Sequence, residues 1–94
     1  MNLYREVNLE EMEKQIVKAK DKVAVFMETR SEAVEFVSEF DKGNFKDAIK
    51  IAREDMAFGY GTIIGELVQY CRAKTILEKG EKIFTTMLIT GQSK

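Results

Sequence analysis

Lys22-Val23-Ala24-Val25-Phe26-Met27-Glu28 is a short apolar run, rich in β-branched and aromatic residues and closed by a charge at each end. It is apolar on both faces and short for a helix, as a buried central strand is, so it predicts a strand. The choice decides the fold class. With a strand here, the chain needs a sheet, and Ile83 to Thr90, uncharged and rich in β-branched residues, is the natural second member. Thr75-Ile76-Leu77-Glu78 is either a hairpin partner across Lys79-Gly80 or the end of a helix that stops at Gly80.

The segment before the run starts a helix. Asn8 is a good N-cap, Glu11 stands at the capping-box position, and Val7 with Met12 fit a hydrophobic staple. Leu9, Met12, Ile16 and Ala19 then recur at helical spacing, which predicts a helix over about Leu9 to Lys20. After the run, Thr29 with Glu32 marks a second helix. Its stripe is Ala33, Phe36, Val37 and Phe40, and Lys42-Gly43 ends it before Asn44 opens the next.

From Phe45 to Cys71 the apolar residues keep a helical period, while charged residues 46, 50, 53 and 54 keep to another side. A single rod from Asn44 to Lys74 would be about 45 Å long, beyond the roughly 30 Å diameter of a domain this size. Gly59 and Gly61 each weaken a helix interior by about 1 kcal/mol, which predicts a break near Phe58-Gly59-Tyr60-Gly61 with Thr62 capping the helix beyond it. The continuous rod is the alternative. The expected architecture is one small α+β domain over residues 1–94, with three or four helices packed on a two- or three-stranded sheet.

Composition removes most chemistry. Net charge is −1, from 15 Lys and Arg against 16 Asp and Glu, so no bulk electrostatic pull toward DNA, RNA or an anionic membrane is expected. The chain has no His and one Cys, which excludes imidazole catalysis and any disulfide or Cys-based zinc site within the chain. Hydrophobic residues make up 45%, too many for a disordered chain, yet no uncharged stretch reaches membrane-spanning length. The N-terminal residues lack the apolar core of a secretory signal, and together with the free Cys this suits the cytoplasm.

Two sets of residues stand out as candidate sites. Gly59, Tyr60, Gly61 and Thr62 could present backbone N–H groups at a helix N-terminus to an anion, with Arg53 as a bidentate partner for phosphate. The segment comes after a helix and its third Gly is displaced to 65, so it is not a dinucleotide fingerprint. A plain helix break explains the same glycines. If the helix runs on instead, Ala57, Gly61 and Gly65 lie four apart and form a smooth groove for a second helix, such as one from another subunit.

Cys71 falls on the apolar stripe and reads as a buried structural thiol; among the helix-surface glutamates no catalytic pair stands out. Lys18, Lys20 and Lys22 make a small basic patch without interleaved aromatics. Neither a catalytic residue nor a metal ligand or cofactor can be named. The expectation is a non-catalytic interaction or regulatory protein, such as an accessory or viral inhibitor. It would pair with itself as a homodimer, because two strands seldom complete a sheet, and with another protein. The alternative is a binder of a small phosphate-bearing ligand such as a nucleotide at Gly59 to Thr62.

Overall fold

Asn8 opens the first helix as its sequence demands. Its Oδ1 accepts a hydrogen bond from the Glu11 amide at 2.7 Å, and Val7 and Met12 are buried in one cluster. The Glu11 carboxylate does not reach back to the cap; it takes both guanidinium nitrogens of Arg5, at 2.9 and 2.7 Å. This is a computed structural model, and it describes residues 5–56 and 61–84.

The elements, in chain order, are β1 (Glu6–Val7), α1 (Leu9–Phe26), α2 (Arg30–Asp41), α3 (Phe45–Asp55), α4 (Gly61–Glu78) and β2 (Ile83–Phe84). The expected strand over Lys22 to Glu28 is therefore the last part of α1 and the loop after it. The reason is continuity. Met12, Ile16, Ala19 and Val23 bury one stripe at helical spacing, and Lys20-Asp21-Lys22 offers no glycine or proline to stop the helix. A strand would bury both faces of the run; here Val23 is fully buried, while Val25 is 78% exposed. Packing against the rest of the molecule overrides β propensity.

The α+β expectation is corrected with it. The four helices bury the core, and the one sheet among the described residues is a two-stranded antiparallel ribbon pairing Glu6 with Phe84 and Val7 with Ile83. Of the expected strand Ile83 to Thr90, Ile83 and Phe84 are strand, and residues 85–90 lie outside the described residues. Its partner is β1, not a hairpin from Thr75 to Glu78, which belong to α4.

Two helices end in the same device. At Gly43 (φ 88°) and Gly80 (φ 86°) the chain enters the left-handed region. Each glycine amide bonds the carbonyl three residues back, and the next amide, of Asn44 or Glu81, bonds the carbonyl five residues back. This doubled closure satisfies carbonyls that a helix end leaves open, and only glycine adopts the required φ without steric cost.

The break between α3 and α4 also accords with the sequence. Met56 leaves the helical region (ψ 73°), which excludes one continuous rod. Thr62 does not cap α4, because the helix already starts at Gly61. Asn44 holds the N-cap position of α3, but its side chain donates to Glu39 Oε1 at 2.9 Å instead of accepting from the helix.

In the packing, α1 lies chiefly against α4 and α2 against α3. Phe36 and Leu67 are fully buried in the main core with Val23 and Ala52, and a smaller cluster of Val7, Met12, Ala73 and Ile83 ties the ribbon to α1 and α4. Phe36, Phe40 and Phe45 form an aromatic chain, with centroids 6.0 and 5.7 Å apart and the second contact edge-on. Lys20 seals it from α1, 3.3 Å from Asp41 and 5.8 Å above the Phe40 ring.

Candidate functional site

Lys46, Lys50 and Arg53 stand at positions i, i+4 and i+7 of α3, and so project from one side of that helix. On the neighbouring strip Phe45 and Ile49 turn inward. Val68 and Arg72, four apart on α4, repeat the arrangement with one apolar and one cationic member. These side chains line a groove of about 430 Å³ between the two helices. Phe45, Ile49 and Val68 make its apolar floor, and four cations, with the single carboxylate of Glu54, make its rim.

The floor is fixed and the rim is exposed. Ile49 is core, and the edge of the Phe40–Phe45 contact holds the Phe45 ring in place. Lys46, Lys50, Arg53 and Arg72 are solvent-exposed, and none makes an ion pair with a described residue. Several cations elsewhere are matched: Lys20 by Asp41, Lys22 by Glu66, Lys42 by Glu39 and Lys74 by Glu13. A chain of net charge −1 thus gathers unmatched positive charge over one apolar trough. Such a rim attracts carboxylates or phosphates, and the floor rewards apolar contact.

Of the residues that stand out in the sequence, Arg53 belongs to this groove. Gly61 and Thr62 are exposed at the start of α4. Gly59 and Tyr60 lie outside the described residues, as does Ala57, so the anion site expected there is seen only at its edges. Gly61 and Gly65 sit one turn apart on α4, and no described residue comes within 4 Å of where a Cβ would stand, so packing among the described residues does not require a glycine at either. Lys46, Lys50 and Arg72 do not stand out in the sequence. Their signal is the i, i+4, i+7 cation spacing beside Phe45 and Ile49, but α3 and α4 must be placed side by side before Arg72 and Val68 complete it.

A pair of carboxylates is equally hidden in the sequence. Asp55, at the end of α3 and only 8% exposed, accepts the Thr29 amide at 3.1 Å, so it caps the N-terminus of α2 from outside that helix. Burial pushes its carboxyl upward. Hydrogen bonds from the Thr29 hydroxyl and amide, from Glu32 and from the Glu28 amide outweigh that and leave it below the usual Asp range. Glu32 moves the other way, raised first by its hydrogen bond to Asp55, then by burial and by the negative charge of Asp55. The Thr29 hydroxyl makes no cap within its own helix. The bond from the Thr29 amide to Asp55 fastens the start of α2 to the end of α3, and Glu32 beside it adds to that hold only when protonated.

Cys71 is half-buried against the core, and burial raises its thiol to about 11 against a smaller opposing pull from Lys74. It stays a protonated, weakly reactive thiol at neutral pH, in keeping with a structural role. Among the described residues no group of acidic or thiol side chains could hold a metal ion, and no helix is long and apolar enough to cross a membrane. Comparison with protein-family models, with curated proteins and with solved structures gives no match.

Proposed function

We propose that the protein is a small non-catalytic interaction protein, acting in the cytoplasm as a homodimer, whose α3/α4 groove receives an acidic protein partner. The observation that carries this reading is the set of four exposed cations around an apolar floor, none of them in an ion pair with another described residue. Lys46 and Arg53 are seven residues apart on one helix face, hence about 10 Å along it, which suits a partner carrying several carboxylates better than a single phosphate group. A protein fits the floor better than a nucleic acid does. Bases stack on aromatic faces, whereas Ile49 and Val68 are aliphatic and Phe45 already meets Phe40.

The test is a charge reversal at exposed positions. Poly-L-glutamate should bind the parent in a salt-sensitive manner, and Lys50→Glu with Arg53→Glu should weaken that binding by at least about tenfold while leaving the thermal midpoint within a few degrees. Equal binding by parent and variant rules the groove out as the binding surface.

A further inference from the structure

We infer that the occupant of the groove is a single amphipathic helix from the partner, with apolar residues at helical spacing on one face and carboxylates on both flanks of that face. This rests on the reading that the α3/α4 groove binds an acidic partner, and it adds the conformation and the pattern of that partner.

The geometry favours a helix over other segments. The walls are two helices, whose backbone N–H and C=O groups are largely paired within themselves, so no sheet edge is offered to an extended strand. Phe45 and Arg53 mark the ends of the trough on α3. They are eight residues apart, or about 12 Å, and Glu54 adds one more residue to the rim, which matches two turns or a little more of a guest helix. Phe45, Ile49 and Val68 lie along the bottom, where an i, i+3, i+4, i+7 set of apolar side chains would seat. Cations stand on both sides, Lys50 and Arg53 from α3 and Arg72 from α4, so carboxylates on each flank of the guest's apolar stripe find a partner. A purely acidic chain would leave the floor unused, and a purely apolar one would leave the rim unmatched.

Four probes on the intact protein test this: a capped peptide of Leu and Glu with leucines at helical spacing, a scrambled peptide of the same composition, poly-L-glutamate, and a single-stranded DNA oligonucleotide. Affinity is read by titration and helicity by circular dichroism. The expected result is that the patterned peptide binds at least about tenfold more tightly than the scrambled one, gains helix on binding, and loses about tenfold or more with Lys50→Glu/Arg53→Glu. If the scrambled peptide and poly-L-glutamate bind as tightly as the patterned one, the groove is an acid-binding surface and the helical occupant is wrong. Tighter binding of the oligonucleotide than of the patterned peptide overturns it too. If no probe binds, the groove reading itself fails and this inference falls with it.

Discussion

Asp55 is a carboxylate at the wrong end of its own helix, and it is tolerated there because α2 begins against it. The negative charge opposes the dipole of α3 and favours that of α2, and the Thr29 amide supplies the contact. Glu32 then has to share a hydrogen bond with a neighbour that stays ionised. Because Glu32 is raised in the folded protein, its contribution is complete below the ordinary Glu value of 4.5 and is lost as pH rises through the raised value. Because Asp55 is lowered, its contribution is present above the ordinary Asp value of 3.8 and is lost as pH falls through the lowered one. The pair therefore stabilises most in the window between 3.8 and 4.5. Glu32→Gln keeps a donor toward Asp55 at every pH. It should exceed the parent in urea midpoint at pH 7, and the difference should shrink as pH approaches 4; a difference that does not change with pH would contradict the pairing. The pairing is not visible in the chain, where Glu32 and Asp55 are 23 positions apart and Glu32 reads as the capping-box partner of Thr29.

At the scale of elements, α1 shows what local reading reaches and where it stops. Its start is legible because Asn8, Val7 and Met12 act within a few residues of one another. Its end is not, because Val23 to Phe26 has strand composition and becomes helical through burial of Val23 against other helices. Glycine punctuation is legible at Gly43 and Gly80, where positive φ is a backbone requirement, and propensity alone places a break before Gly61. The β1–β2 ribbon is not legible: Glu6–Val7 is too short to carry a period. The helical assignment makes a sharp prediction. Val23→Ala should cost about 2 kcal/mol by truncating a fully buried side chain, while Val25→Ala should stay within about 0.5 kcal/mol. Chemical denaturation of both variants decides it, since a two-faced buried strand would make both changes costly.

For the whole molecule, the proposed homodimer does not rest on an undersized sheet, because the helices and not the ribbon bury the core. Its support is the exposed apolar surface along α1 and α2, where Val25 is 78% and Val34 64% exposed beside Val37. Sedimentation equilibrium should find a dimer, and Val25→Ser with Val34→Ser should shift it to monomer without unfolding; a monomeric parent rules the dimer out. This apolar face and the basic groove draw on different residues, so dimer formation and partner binding should be separable by mutation. The groove itself is half legible: Arg53 stands out in the sequence as a phosphate partner, but its companions on α3 read as a solvated face until α4 supplies Val68 and Arg72. The most direct test is a backbone amide shift map of the labelled protein titrated with poly-L-glutamate. Perturbations should concentrate on residues 45–54 and on Val68 and Arg72, and they should fade as salt is raised. Perturbations centred instead on Lys14 and Lys18 of α1, or on Lys79 and Lys82, would contradict the groove as the binding surface.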